Sequence, residues 1–146
     1  MMFEIKKIKA KDTYPLRMKV LSSNSTLEDC QYKGDLEESS LHVGAFAEDR
    51  VIGVASFFKQ AHEKVHGKNM YRLRGIAIDP EHRNQLRGQT LVLFGENLLR
   101  QADTELVWCT TGINNIEYYQ HLGFKESEHI YNNGDKGLYV LMYKHL

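Results

Sequence analysis

Arg74 to Phe94 reads RGIAIDPEHRNQLRGQTLVLF, and this stretch decides the fold. Leu73 to Ile78 is an apolar run of the length of a buried strand, and Asp79-Pro80 stops it. A basic, amide-rich loop follows, after which Leu91, Phe94 and Leu98 recur at helical spacing. The order is strand, polar loop, helix. Arg83, Gln85, Arg87 and Gly88 fall where the helix begins, so free backbone N–H groups, the positive end of the helix dipole and two guanidinium groups converge. That convergence suits a phosphate. A Walker A loop needs Gly-Lys-Ser/Thr and the dinucleotide fingerprint needs three glycines, so a loop with one glycine disfavours both.

The rest of the chain bounds the choice. At 146 residues it fits one domain, 1–146, large enough to bury a core without staples. Acidic and basic residues balance at 19 each, which removes any global electrostatic argument for nucleic acid or an anionic membrane. Cys30 and Cys109 lack CxxC spacing, and Cys109 in the run LVWC reads as a small buried hydrophobe. The seven histidines are scattered without HExxH spacing, so no metal is expected. The opening MMFEIKKIKAKD has no apolar core long enough for a signal peptide or a membrane span, so a cytoplasmic protein is expected.

Phe3 to Ile8 reads as a first strand, and Asp12 as the cap of a helix carrying Tyr14, Met18 and Leu21 on one face. Leu41–Ala47 and Val51–Phe58, separated by Glu48-Asp49-Arg50, form a β-hairpin, with Gly53 a candidate bulge. Met70 to Ile78 reads as a third antiparallel strand. Leu106 to Cys109 is a short strand, Ile116 to Leu122 a short helix ended by Gly123, Phe124 the start of a strand and Leu138 to Tyr143 the last. Helices distributed along a run of strands give an α+β protein.

The stretch around Gly88 resembles the acyl-CoA loop of the GNAT superfamily of N-acetyltransferases. Ile76-Ala77-Ile78 corresponds to its short apolar triplet, and Gln85-Leu86-Arg87-Gly88-Gln89-Thr90 to its Gln/Arg-x-x-Gly-x-Gly/Ala, with Thr90 standing where the family has Gly or Ala. Tyr119-Gln120-His121-Leu122-Gly123-Phe124 resembles the Tyr-x-x-x-Gly-Phe pattern that closes the same fold. Leu16-Arg17, Gly34-Asp35 and His42 are similar to a small bacterial subgroup of these proteins.

The resemblance implies a mixed, mostly antiparallel central sheet of six to seven strands flanked by about four helices. It implies an acetyl-CoA cosubstrate and direct transfer of the acetyl group to a small-molecule or peptide amine in a ternary complex. Backbone groups of Ile76, Ala77 and Ile78 would hold the pantetheine arm, and one of their N–H groups the developing oxyanion. Gln85, Leu86, Arg87, Gly88, Gln89 and Thr90 would hold the pyrophosphate, and Tyr119 would protonate the departing thiolate. Tyr118 points about 100° away on the same helix. Many relatives carry an asparagine where Gly112 stands.

The attacking amine must lose a proton, and Asp35, His42 and Glu38 border the region where the family binds its acceptor; each reads more readily as an ordinary surface group. The carboxylates Glu28, Asp29, Asp35, Glu37 and Glu38 form an acidic stretch able to attract a cationic amine. A homodimer is compatible with the way relatives pair. A non-catalytic acyl-CoA sensor is the alternative, motivated by Thr90 and Gly112. Phosphate or nucleic-acid binding through Arg72, Arg74, Arg83 and Arg87 is weaker, because no aromatic-interleaved basic patch accompanies them.

Overall fold

The computed structural model describes residues 3–21, 26–83 and 88–146. Its elements are β1 (Glu4–Ile8), α1 (Ala10–Leu16), β2 (Leu41–Ala47), β3 (Arg50–Lys59), β4 (Met70–Ile78), α2 (Gly88–Gln101), β5 (Leu106–Gly112), α3 (Ile116–His121), β6 (Lys125–Asn132) and β7 (Leu138–His145). The strands form one seven-stranded, mostly antiparallel sheet in the order β1-β2-β3-β4-β5-β7-β6. The expected sheet is therefore present. Three α-helices accompany it among the described residues, one fewer than expected, because Arg17–Leu21 winds as a π-type turn and Glu28–Cys30 as a single 3-10 turn. No helix among the described residues is long and apolar enough to cross a membrane.

Two compact units divide the chain, residues 1–58 with 73–98, and residues 59–72 with 99–146. In the first, β2 and β3 make the expected hairpin, but the turn is only Glu48-Asp49, both with positive φ (52° and 67°), and Arg50 already belongs to the strand. Positive φ at both positions matches the twist of the strands. Gly53 pairs with Ala45 and Val51 with Phe46, which leaves Ile52 as the extra residue of the expected bulge. Its carbonyl accepts the Asp79 N–H at 2.8 Å. Asp12 does not occupy the cap position. It sits three residues into the helix start and accepts the Lys9 N–H at 3.0 Å, the same orphan-donor chemistry from the other side.

Leu16, Val54 and Ala77 form a core of this unit, with Ile8, Val20 and Val51 packed against it. Leu91 and Val92 of α2 are buried, and so is Gly95, where an added Cβ would stand 2.2 Å from the Phe57 ring. The helix approaches its strand that closely only without a side chain there.

In the second unit β4 and β5 run parallel, over only Met70–Arg72 against Leu106–Trp108. β5 extends past Cys109 to Gly112 and pairs with β7 along its whole length. Val65, Met70, Leu106, Trp108 and Leu141 make the core with Tyr143 against it, and the indole N–H of Trp108 donates to the Gln60 carbonyl at 2.8 Å. α3 ends as expected, with Gly123 at φ 95°.

Candidate active site

Ile76, Ala77 and Ile78 end β4, with Ala77 and Ile78 buried. The parallel ladder uses only the first three residues of β4, so the segment from Leu73 onward extends beyond it. Gly75, directly before the triplet, has φ 68°. Asp79 then closes the strand. Its carboxylate accepts the Glu81 N–H at 3.1 Å, capping a 3-10 turn, Pro80–His82, and pairs with Lys19 at 3.5 Å and Arg50 at 3.3 Å. The Glu81 N–H is the main cause that holds this carboxyl below its ordinary range, and the neighbouring cations add to it.

Gly88 is buried at the first position of α2, followed by exposed Gln89 and Thr90. Gln85, Leu86 and Arg87, assigned to the pyrophosphate from the sequence, lie outside the described residues.

Tyr119 belongs to the second unit and sits in the middle of α3. Its ring meets Tyr118 edge-on at 5.2 Å and Phe124 at 6.1 Å. Tyr118 is 44% exposed whereas Tyr119 is partly buried, as their divergence on a helix requires. Burial, with smaller effects from Cys109, Tyr118 and Tyr139, pushes the Tyr119 phenol well above its ordinary 10.0. The phenol keeps its proton throughout the neutral range. Asn114 and Asn115, beside Gly112, are exposed. An open cleft of about 770 Å³ in this unit, lined by Lys64, His66, Leu106, His129, Tyr143 and His145 among others, holds none of the residues assigned from sequence.

Two of the three candidates for a proton acceptor are not surface groups. Asp35 and His42 are each 5% exposed and belong to one buried network with Arg17. Arg17 donates to both Asp35 carboxylate oxygens (2.8 and 3.1 Å), to Ser56 Oγ (2.9 Å) and to the Cys30 carbonyl (2.9 Å). His42 Nε2 lies 2.9 Å from the Asp35 carbonyl, which can only accept, so Nε2 carries the hydrogen and Nδ1 faces Ser56 Oγ at 2.7 Å. Burial lowers the His42 pKa and keeps it neutral. Glu38 alone remains exposed.

Sequence reasoning placed Asp35 and His42 in solvent and gave Arg17 no part in this network. The available signal was an arginine set directly between the apolar Leu16 and Met18 of the first helix. Arg72, counted in the sequence with a basic patch, stacks on Trp108 at 5.0 Å and donates to Thr110 Oγ1 at 3.3 Å. Among the described residues, no group of three His, Cys, Asp or Glu side chains assembles that could hold a metal.

This sheet order, with a helix leaving a strand through an Asp-Pro turn, defines an acyl-CoA N-acyltransferase fold. The sequence profile of the acetyltransferase (GNAT) family matches residues 6–124. The uncharacterized N-acetyltransferase YitI of Bacillus subtilis is 35% identical over 145 residues, 99% of this chain and 97% of that protein. An aminoglycoside 6'-N-acetyltransferase solved in complex with coenzyme A superposes with a TM-score of 0.76 at 14% identity, covering 97% of this chain and 96% of its own. The ribosomal-protein-S18-alanine N-acetyltransferase of Escherichia coli superposes with a TM-score of 0.73 at 18% identity, covering 99% and 94%. The chain belongs to the acetyltransferase (GNAT) family and is an N-acetyltransferase, an enzyme that moves an acyl group to an amine.

Proposed function

We propose that this chain transfers an acetyl group from acetyl-CoA to a primary amine, of a small molecule or a peptide, by direct attack in a ternary complex. The observation that carries the reading is the short parallel ladder of β4, which ends at Arg72 and is followed by Gly75 at positive φ and then by Ile76-Ala77-Ile78. Backbone N–H and C=O groups beyond a ladder are what an extended pantetheine arm pairs with, as an added strand. One N–H of the triplet would meet the thioester oxygen as it gains charge. Gly88, buried at the start of the fourteen-residue α2, supports a pyrophosphate site built on backbone N–H groups and the helix dipole.

Tyr119 is the proposed general acid. A phenol that burial keeps protonated has a proton to give the thiolate as the C–S bond breaks. The amine, with an ordinary pKa of about 10.4, must first lose a proton. The buried Asp35 and His42 are already committed to Arg17 and Ser56, which argues against either as its acceptor.

The test is isothermal titration with acetyl-CoA and with CoA, followed by thiol release across a panel of amines. Binding with release on at least one amine is the expected result. Binding without release on any amine would support an acyl-CoA sensor instead, and absence of binding at about 1 mM would remove the acyl-CoA reading. Gly88→Glu places a side chain and a negative charge where the pyrophosphate is proposed. It should weaken acetyl-CoA binding by about 100-fold or more, and wild-type affinity in that variant would overturn the loop assignment.

A further inference from the structure

Two arginines of the first unit share one tyrosine ring. The guanidinium carbon of Arg17 lies 3.9 Å from the Tyr32 ring centroid and that of Arg74 lies 4.2 Å from it. In other respects they differ. Arg17 is 1% exposed, and its two terminal nitrogens donate to Asp35, Ser56 and the Cys30 carbonyl. Arg74 is partly exposed, and among the described residues it makes neither an ion pair nor a hydrogen bond. Its guanidinium stacks on the Tyr32 ring.

The platform under Arg74 is held in place. Tyr32 donates its backbone N–H to Asp35 Oδ2 at 2.8 Å, so the ring is tied to the buried ion pair. A Cβ at Gly75 would stand 3.0 Å from Tyr32 Cε2 and 3.3 Å from Arg17 Nε. Backbone, ring and guanidinium are thus packed together, with Arg74 one residue before that glycine and two before Ile76. A guanidinium seated on an aromatic face keeps its N–H groups directed outward in a fixed fork, which pairs bidentately with a planar carboxylate, as it also can with a phosphate. Having lost side-chain freedom before any ligand arrives, it binds at a lower entropic cost.

Resting on the acetyl-transfer reading, which puts the thioester at Ile76 to Ile78, we propose that Arg74 sets acceptor specificity by holding a carboxylate carried on the amine. The acceptor class is then amino acids and other carboxylate-bearing amines, rather than bare amines or polyamines. Asp35 does not interfere, because Arg17 already neutralises it. The acidic stretch read from the sequence as a lure for cations loses its one buried member to that pair.

The experiment compares matched amines on the full chain, saturated with CoA for the binding arm and with acetyl-CoA for the turnover arm. Lysine is set against cadaverine, alanine against ethylamine, and phosphoethanolamine against ethanolamine, with binding by calorimetry and turnover by thiol release. The wild-type chain should prefer the carboxylate-bearing partner by roughly 10- to 100-fold, carried in KM rather than kcat. In Arg74→Gln that preference should fall to within about threefold, and Arg74→Lys, which keeps the charge without the fork, should retain part of it. Equal affinity within the carboxylate pairs, no binding of any carboxylate amine at about 10 mM, or a preference that survives Arg74→Gln would each overturn the proposal. A preference confined to the phosphate pair would also overturn it in favour of a phosphate-bearing acceptor. Loss of CoA binding in the wild type would instead bring down the acetyl-transfer reading on which the proposal rests.

Discussion

Asp35 sets both carboxylate oxygens against the Arg17 guanidinium with 3% and 1% of the two side chains exposed. Removing one member of such a pair leaves the other charge buried and unpaired, which costs far more than the pair itself contributes. Asp35→Asn keeps the shape and removes the charge. It should destabilise the chain by about 3–5 kcal/mol, read as a lower midpoint of urea unfolding. An unchanged midpoint would mean that the guanidinium finds water or another acceptor there. Tyr119→Phe belongs to the same scale and changes one oxygen. Turnover should drop by about 100-fold or more while the affinity for acetyl-CoA holds, and wild-type turnover would remove the general-acid assignment.

At the scale of elements, α2 and β3 meet where Gly95 faces Phe57. Gly95→Ala demands space that a ring now fills, and an overpacked interface of this kind costs about 1–3 kcal/mol. Thermal unfolding should shift down by about 2–4 °C for each kcal/mol lost. Adding Phe57→Leu, which withdraws the clashing ring atoms, should recover part of the loss, and strict additivity of the two changes would refute the packing explanation. α1 shows a different control. Pro15 sits inside it, and the π-type turn that follows begins at Arg17, the residue buried against Asp35. A widened turn is a common way for a helix to carry a functional side chain, and here it presents the one arginine that must go inward.

For the whole molecule, buried titratable groups set the pH limits. Burial pushes the Cys109 thiol from 9.0 up to about 12, so above pH 9 the unfolded chain releases a proton that the folded chain keeps. Stability therefore falls as pH rises from 9 toward 12, by about 1.4 kcal/mol one unit above the lower value. Tyr32, Tyr71 and Tyr119, all raised by burial, steepen the fall above pH 10. Urea unfolding between pH 8 and 11 should show this slope, and Cys109→Ala should flatten its lower part. On the acid side His42, held neutral by burial, works in the opposite sense. Stability is lost as pH falls below 6.5, because the unfolded chain gains a proton that the folded chain resists.

The strand up to Ile78 and the helix from Gly88, the hairpin with a bulge beside Gly53, and the helix ended by Gly123 were all legible in the residues alone. Each is written in neighbouring positions, as an apolar run and its stop, a turn, or a glycine at positive φ. Two short motifs in order were enough to indicate the family, and with it the kind of reaction. Which polar groups lie inside was decided only by the tertiary structure. Asp35 lies 18 positions from Arg17, and Ser56 lies 39 from it. Sequence spacing says nothing about pairs so far apart, so Asp35 and His42 read as surface groups until packing enclosed them. Arg74, grouped in the sequence with Arg72 as part of one basic set, met its Tyr32 ring for the same reason only in the folded chain. A charge is defined by its partners, and those partners meet only when the sheet and the loop over it have closed.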